Sequence, residues 1–402
     1  MKLTGSQAAN DQYMKSQSRN VLILMSDTGG GHRASAEALR SAFNKGYPGE
    51  FHVDVVDMWS QFTVWPLNKV PQTYGPLVNH LPWLWKLIWN TSNLKLLTTL
   101  ALWVVYILNR HRIKKMYEFY RPDIVISVHP LMQHIPIKVL FDDMKMQNPF
   151  FTVVTDLASA NATWFSTRVE RCYVASQEAN ELACKSGLSE EKVRQIGLPV
   201  RVGFSQVSIG KQEARQKVGI DESRRTLLLV GGGDGVGSVK HIAHAVADRL
   251  SRDGRNAQIV IICGRNNRLK GELNSTQWLL PVHIEGYVTN MHEWMMASDC
   301  IVTKAGPGTI AEATICGLPM ILSGYIPGQE EGNISYVEDR QIGVYCEQPD
   351  GIASLVSKWF GPDTRPLDEM GGRMATYANP FAAAQIVEDI VEIVDLLSIT
   401  SS

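Results

Sequence analysis

Short, continuous apolar runs alternate along the chain with longer amphipathic stretches. The apolar runs are too short for helices and are typical of strands that are buried on both faces of a parallel sheet. The predicted strands of the first half are Val21–Met25, Phe51–Asp57, Asp123–Val128, Phe150–Thr155, Arg171–Ala175 and Val193–Ile196. Those of the second half are Thr226–Val230, Gln258–Cys263, Val282–Glu285, Cys300–Thr303, Met320–Ser323 and Gly343–Cys346. Because helical patterns separate the strands, the sequence predicts an α/β protein with two doubly wound, Rossmann-like domains facing a central cleft.

The first predicted strand leads into three consecutive glycines, Gly29–Gly31, followed by His32 and a helical pattern that extends to Phe43. Glycines let backbone N–H groups approach a ligand closely, and the helix N-terminus behind them favours negative charge. The positive end of the helix dipole disfavours an imidazolium, so His32 is predicted to be a neutral base. An ordinary glycine-rich turn with a surface histidine fits the same residues.

Two further glycine-rich segments, Gly231–Gly237 and Gly306–Thr309, connect a predicted strand to a predicted helix. Three such turns predict a pyrophosphate ligand whose charge is stabilised by backbone N–H groups and helix dipoles without a metal ion. The chain has no clustered DxD or HExxH motif, no Lys-Ser/Thr of a P-loop and no acid placed as in a dinucleotide fingerprint. We therefore expect no metal site and no cofactor.

Polar side chains near these turns are candidates for sugar recognition. Glu312 lies one helical turn beyond Gly308, where its carboxylate can accept two hydrogen bonds from a ribose diol. A surface glutamate that complements the helix dipole is the alternative. Residues 327–333 follow a strand at its carboxyl end, where α/β sheets bind ligands, and their amides and acids suit sugar hydroxyls. A solvated turn fits their composition equally well.

A different composition marks residues 58–121, which hold six of the ten tryptophans. Within them Leu96–Leu108 is almost wholly apolar and is followed by Arg110, Arg112, Lys114 and Lys115. Thirteen helical residues span about 20 Å, short of the roughly 30 Å hydrocarbon core, so a spanning helix is not expected. Tryptophans and basic residues favour a segment that enters one leaflet. A buried helix with a basic last turn is the alternative.

The composition excludes several classes of protein. With 39 basic and 40 acidic side chains the net charge is −1, which argues against a general nucleic-acid binder. The six cysteines have no CxxC spacing and are expected to be free thiols, most of them buried, in a reducing compartment. The polar first nineteen residues contain no apolar signal region and are too poor in arginine for a transit peptide, so no targeting segment is evident.

Six motifs, in this order, closely resemble those of plant and algal monogalactosyldiacylglycerol synthases, within glycosyltransferase family 28. They are DTGGGHRASAEA (27–38), SVHPLMQHIP (127–136), TWF (163–165), GLPVR (197–201), TKAGPGTIAEA (303–313) and PGQEEGN (327–333). The resemblance implies a GT-B fold and inverting transfer of galactose from UDP-galactose to the sn-3 hydroxyl of 1,2-diacylglycerol. It also implies activation by anionic lipids and peripheral association with the plastid envelope. A homodimer is a further expectation.

The resemblance also assigns residues to roles. His32 matches the proposed general base. The donor side comprises Gly231, Gly232, Gly233, Gly235, Tyr287, Val288, Gly306, Gly308, Thr309, Glu312, Gln329, Glu330 and Asn333. The acceptor and lipid side comprises Gly30, Gly31, Pro66, Trp103, His129 and Trp164.

The expected domains are a disordered segment over residues 1–19, an acceptor and membrane domain over 20–200 and a UDP-sugar domain over 201–380. A terminal helix over 381–402 is expected to pack back on the first domain. Asn161-Ala162 stands where the family commonly has His-Pro, and Glu331 where it often has a small residue. A UDP-glucose-dependent diacylglycerol glucosyltransferase, a nucleotide-sugar epimerase and a non-catalytic lipid-surface module are the alternatives.

Overall fold

A computed structural model of the chain describes residues 18–28, 30–92, 94–206, 209–231 and 239–400. The predicted disordered segment lies almost wholly outside the described residues. The chain divides into two compact units. The first unit comprises Met1–Arg201 together with Phe381–Ser402, and the second comprises Val202–Pro380.

The first unit contains a six-stranded sheet in the order β2-β1-β3-β4-β5-β6, in which every neighbouring pair is parallel. Its strands are β1 (Arg19–Met25), β2 (Phe51–Asp57), β3 (Ile124–Ser127), β4 (Phe150–Val153), β5 (Arg171–Val174) and β6 (Val193–Gln195). The carboxyl ends of β1, β3 and β4 therefore lie side by side, and the loops that follow them meet at one edge.

The second unit repeats this arrangement with the parallel order β12-β11-β10-β7-β8-β9. Its strands are β7 (Arg225–Val230), β8 (Ala257–Ile262), β9 (Val282–Glu285), β10 (Cys300–Thr303), β11 (Met320–Leu322) and β12 (Gly343–Tyr345). The two parallel sheets predicted from the apolar runs are confirmed.

Helices separate the strands in both units. Those of the first unit are α1 (Gly30–Gly46), α2 (Met58–Phe62), α3 (Val70–His80), α4 (Pro82–Ser92), α5 (Lys95–Tyr120), α6 (His134–Lys138) and α7 (Gln177–Lys185). Those of the second unit are α8 (Lys211–Val218), α9 (Val239–Arg252), α10 (Asn267–Asn274), α11 (Met291–Met296), α12 (Pro307–Ile315), α13 (Glu331–Asp339), α14 (Pro349–Trp359) and α15 (Arg365–Met374). The last helix, α16 (Ala382–Thr400), belongs to the first unit.

Alternate residues of β1 pack on opposite faces of the first sheet. Leu22 and Leu24 pack in a cluster that includes residues of α5, whereas Val21, Ile23 and Met25 pack in a cluster with α1 and α16. Because both faces are covered by helices, the strand carries apolar residues at every position.

A partly buried network holds α16 against the first sheet. Asp389 of α16 accepts hydrogen bonds from the Arg171 guanidinium at 3.1 Å and from the Tyr173 hydroxyl at 2.7 Å. Burial, followed by the neighbouring Asp389 carboxylate, raises the pKa of Tyr173 above its ordinary value, so the phenol stays a donor. The chain thus returns to its first unit after completing the second.

One predicted helix differs from the structure. The pattern over Met132–Phe141 predicts one helix, but the segment comprises a 3-10 turn (Pro130–Met132), α6 and a π-helical turn (Val139–Asp143). Because proline lacks a backbone N–H, Pro136 cannot donate to the Met132 carbonyl, and a regular α-helix that begins at Met132 would lose this bond. All six cysteines are free thiols, and three of them are buried.

Candidate active site

His32 lies in the first turn of α1 and is only 8% exposed, so the surface-histidine alternative is wrong. Its Nδ1 lies 2.9 Å from the carbonyl oxygen of Val128 and 2.8 Å from the hydroxyl of Thr155. These partners follow β3 and β4, the strands that continue the sheet from β1. A carbonyl only accepts hydrogen bonds, so the proton of the neutral ring lies on Nδ1 and is shared between the two oxygens. Nε2 then carries the lone pair.

Burial lowers the pKa of His32 to about 4, and the hydrogen bond to Val128 opposes this shift. The histidine is therefore neutral near pH 7, as the sequence predicts, although loss of solvent is the main cause. The imidazole is thus able to accept a proton at Nε2. Among the described residues, none forms a hydrogen bond with this nitrogen.

His129 packs against His32 with ring centroids 4.6 Å apart. Its Nδ1 accepts a hydrogen bond from the backbone N–H of Leu131 at 3.2 Å, which leaves the proton of the neutral ring on Nε2. That nitrogen donates to the hydroxyl of Thr28 at 3.0 Å. Burial and the neighbouring His32 lower the pKa of His129 well below its ordinary value. The two neutral histidines therefore present opposite tautomers, and only His32 has an uncommitted ring lone pair.

A buried polar network supports the two histidines from the strand side. The Gln133 amide donates to the Ser127 hydroxyl at 2.8 Å and to the His129 carbonyl oxygen at 3.2 Å. The Thr152 hydroxyl donates in turn to the Gln133 side-chain oxygen at 2.7 Å. Because these groups are hydrogen-bonded to one another, they fix the backbone at His129.

Trp164 is completely buried, with its ring centroid 6.2 Å from that of His32. Its indole N–H donates to the Asp156 carboxylate at 2.6 Å. The Trp164 side chain therefore packs beside His32 away from solvent, and direct contact with a lipid would require the surrounding residues to move. Asn161 caps the 3-10 turn that ends at Trp164 and donates to the Ser92 hydroxyl at the end of α4 at 2.8 Å.

The glycines directly before His32 lie at the N-terminus of α1. Gly30 and Gly31 are exposed and already helical, and a Cβ added to either would meet no described atom within 4 Å. They leave open space at the start of α1. Asp27 and Arg33 close this loop with a paired salt bridge, including a 2.7 Å bond to Arg33 Nε, which the sequence analysis did not identify. Gly29 lies outside the described residues.

The apolar segment predicted over Leu96–Leu108 is the first half of α5, and its outer face is exposed. Leu100 is 58% exposed and Trp103 is 56% exposed, so the buried-helix alternative is wrong for this face. The opposite face packs on the core through Leu102 and Val105.

The exposed loop that contains Pro66 lies beside α5. The Val64 backbone N–H donates to the Asn109 side chain of α5 at 2.7 Å, and Trp65 is 77% exposed. We call Trp65, Pro66 and the exposed apolar residues of α4 and α5 the apolar surface. The latter are Trp83, Leu87, Ile88, Leu96, Leu97, Leu100, Trp103, Val104, Ile107 and Leu108. Among the described helices, none is by itself long and apolar enough to cross a membrane. One pair, Trp83–Ser92 with Leu96–Tyr120, meets the length and composition criteria together but is bent by 93°.

In the second unit, β10 leads through Lys304 to Gly306, which caps α12 at its N-terminus. Gly308 and Thr309 lie in the first turn of this helix, where backbone N–H groups are available to an anion. Glu312 lies further along α12 and is only 4% exposed. The alternative of a surface glutamate is therefore wrong.

The segment at 327–333 forms a turn that leads into the first residues of α13. Glu330 is 2% exposed and accepts hydrogen bonds from the Lys304 ammonium and, at 3.0 Å, from the Ile326 backbone N–H. Asn333 is 1% exposed and donates to the Ala305 carbonyl oxygen at 2.8 Å. These two residues join the loops that follow β10 and β11, so the solvated-turn alternative is wrong for them. Lys304 was missed as a functional candidate because its partner lies 26 positions away.

The remaining donor-side candidates occupy different places. Gly231 directly follows β7, next to β10 in the sheet, and is buried. Gly232, Gly233 and Gly235 lie outside the described residues. Tyr287 follows β9, is 66% exposed and lies with its ring 5.5 Å from the Arg265 guanidinium carbon. Val288, the next residue, is partly buried, as is Gln329 in the turn before α13. Within the described ranges, no group of three or more His, Cys, Asp or Glu residues is placed to hold a metal ion.

Comparison with known proteins identifies the family. A family model described as monogalactosyldiacylglycerol (MGDG) synthase matches residues 32–200, and one described as the glycosyltransferase family 28 C-terminal domain matches residues 226–358. The chloroplastic monogalactosyldiacylglycerol synthase of Spinacia oleracea is 44% identical over 380 residues, 94% of this chain and 73% of the relative. The chain belongs to the monogalactosyldiacylglycerol synthase family.

Monogalactosyldiacylglycerol synthase 1 of Arabidopsis thaliana is a further relative of this family member, at 43% identity over 94% of the chain and 71% of the relative. Solved structures share its architecture at much lower identity. MurG of Acinetobacter baumannii has a TM-score of 0.58 at 12% identity and covers 93% of this chain and 99% of its own. A UDP-GlcNAc 2-epimerase from Neisseria meningitidis has a TM-score of 0.59 at 13% identity, covering 93% and 100%. At such identities the likeness shows the fold alone, and this synthase-family enzyme has the GT-B fold.

Proposed function

We propose that this enzyme transfers galactose from UDP-galactose to the sn-3 hydroxyl of 1,2-diacylglycerol with inversion at the anomeric carbon. The names of its relatives support a galactolipid product. The observation that carries the mechanism is the tautomer of His32, whose Nδ1 proton is held by Val128 and Thr155 while Nε2 keeps its lone pair.

In this mechanism His32 is the general base. Nε2 takes the proton of the sn-3 hydroxyl as its oxygen forms a bond to the anomeric carbon of galactose. The bond from that carbon to the β-phosphate oxygen breaks, and its electron pair leaves with UDP. The imidazolium then returns its proton to solvent. His129 is unsuited to this role because its own lone pair accepts the Leu131 N–H.

The donor is proposed to bind at the carboxyl edge of the second sheet. The free N–H groups at the start of α12 and its dipole would stabilise the diphosphate without a metal ion. Glu312 would accept hydrogen bonds from the ribose hydroxyls. Glu330 is already bound to Lys304 and Ile326, so it would contact galactose only through its remaining lone pairs while it holds the loop in shape.

The apolar surface is proposed to hold the first unit on one leaflet of the plastid envelope. Apolar patches of this kind are typical of interaction sites, and tryptophan favours the headgroup level. Arg110, Arg112, Lys114 and Lys115 follow the exposed half of α5 and would attract anionic lipids. Activation by those lipids is predicted from the family resemblance alone, and a homodimer stays an expectation.

Product analysis tests the proposal. The purified protein is incubated with diacylglycerol vesicles and either UDP-galactose or UDP-glucose, and the lipids and nucleotide sugars are identified by mass spectrometry and chromatography. We expect β-galactosyldiacylglycerol from UDP-galactose. A glucolipid as the main product would favour the glucosyltransferase, and a converted nucleotide sugar without any glycolipid would favour the epimerase.

A further inference from the structure

Thr28 lies in the loop between β1 and α1, and the functional assignments above give it no role. Its hydroxyl forms one hydrogen bond within the described part of the chain, to His129 Nε2 at 3.0 Å. The hydrogen bond at the other ring nitrogen, His129 Nδ1, determines which partner donates in this bond. Because the Leu131 N–H donates to His129 Nδ1, the neutral ring carries its proton on Nε2 and donates it to the Thr28 oxygen.

The hydrogen-bond chain thus runs from Leu131 through His129 to Thr28. A hydroxyl that accepts from His129 still has its own proton to donate. Thr28 is partly buried, whereas His129 is 4% exposed and packs against the proposed base. The chain of bonds therefore ends on a hydroxyl donor of a partly buried residue, one hydrogen bond away from the histidine that packs against His32.

Resting on the proposed function, we propose that Thr28 is an acceptor-binding residue that donates a hydrogen bond to the ester carbonyl beside the reacting hydroxyl of diacylglycerol. That hydroxyl gives its proton to His32 and needs its oxygen lone pair for attack, so a second donor aimed at it would oppose the reaction. Ester carbonyls accept hydrogen bonds and donate none, which complements the fixed direction of the Thr28 hydroxyl. Thr28 would thereby select acyl esters over ether-linked glycerolipids.

Two acceptors of equal chain length test this assignment, a 1,2-diacylglycerol and the corresponding 1,2-dialkylglycerol, which has the same free hydroxyl and no carbonyl. For the unmodified enzyme we expect kcat/KM to favour the ester by roughly three- to tenfold, the effect of one neutral hydrogen bond. Thr28→Val replaces the hydroxyl by a methyl group of similar size. It should lower kcat/KM on the ester more than on the ether by that factor, mainly through KM, and so remove the ester preference. Thr28→Ser should restore the preference.

Variants of His129 test the direction of the hydrogen-bond chain. His129→Gln keeps an N–H donor within reach of Thr28, and His129→Asn keeps an acceptor for the Leu131 N–H and loses that donor. We expect the ester preference to survive better in His129→Gln. UDP affinity and the thermal unfolding midpoint are measured for each variant to show that it is folded.

The outcomes separate this inference from the function on which it rests. If the unmodified enzyme makes no galactolipid from either acceptor, the proposed function fails. If it makes galactolipid but a folded Thr28→Val loses equal activity on both acceptors, or none on either, the assignment of Thr28 is overturned.

Discussion

The buried position of His32 predicts an unusual pH dependence of catalysis. Burial lowers the pKa of His32 to about 4 from the ordinary value of 6.5, so protonation abolishes its base function only as the pH falls through about 4. At pH 5.5 a histidine of pKa 4 is roughly 97% neutral, whereas one of pKa 6.5 is roughly 9% neutral. We therefore expect kcat/KM for diacylglycerol at pH 5.5 to stay close to its value at pH 7.5, whereas an ordinary histidine would lose about tenfold.

The lowered pKa of His32 also reduces the free energy of unfolding at acid pH. The unfolded chain binds a proton at His32 below about pH 6.5 and the folded protein does not, so the free energy of unfolding decreases as the pH falls from 6.5 towards 4. At pH 5.5 this amounts to about 1.4 kcal/mol for His32, and His129 adds a cost of the same sign because its pKa is also lowered. This remains small against the stability of an ordinary domain, so the assay is feasible.

The assay measures UDP release at subsaturating diacylglycerol between about pH 4.5 and 8, a range that includes the ordinary pKa of histidine. Activity on return to neutral pH shows that acid exposure did not unfold the enzyme, and vesicle binding at each pH shows that access to lipid is unchanged. An acid limb near pH 6.5 in a folded, vesicle-bound enzyme would refute the assignment of a buried neutral His32 as the base.

Three further predictions follow from separate features. Replacing His32 by Ala should lower turnover about 10²–10⁴-fold and leave UDP affinity unchanged, as measured by product formation and calorimetry; near-normal turnover would place the base elsewhere. UDP should bind in excess chelator, and recovery of lost binding on adding magnesium would contradict the metal-independent site. Gly308→Asp should weaken UDP binding because its carboxylate repels the diphosphate, whereas Gly308→Ala, whose Cβ meets no described atom within 4 Å, should leave UDP binding unchanged. Changing Leu100, Trp103 and Ile107 to serine should weaken binding to anionic vesicles at least about tenfold without unfolding the protein. The reason is that burial of each exposed apolar side chain in lipid contributes about 1.5–3 kcal/mol to the free energy of binding. The matched control replaces Leu279 and Tyr377, which are 68% and 43% exposed in the second unit, and equal losses from both sets would argue against the apolar surface.

Local patterns predict the strands well because a central strand buried on both faces is apolar along its whole length, whereas a partly exposed edge strand alternates apolar and polar residues. Phe51–Asp57, Val282–Glu285 and Cys300–Thr303 have the bounds that their residues predict. The same reasoning places His32 at a helix N-terminus after β1.

Long-range partners could not be predicted in this way. The two oxygens that set the tautomer of His32 come from positions 96 and 123 residues further along the chain. The partnership of Asn333 with the Ala305 carbonyl likewise depends on β10 and β11 being neighbours in the sheet. Composition alone therefore left Glu312, Glu330 and Asn333 divided between ligand-facing and solvent-facing positions, and the tertiary structure shows that all three are buried.

Helix α5 is one uninterrupted rod of 26 residues, about 39 Å long. Its C-terminal half, the far end, is packed in the core of the first unit, where Ile113, Met116 and Tyr117 are at most 1% exposed. Its N-terminal half, the near end, carries exposed residues of the apolar surface. The helix is continuous between the two ends. With the proposed membrane association, a displacement of the near end would be carried along the helix to the residues that pack beneath β1 and β3. Movement of the membrane-facing end of α5 would then affect the loops around His32 through this one helix.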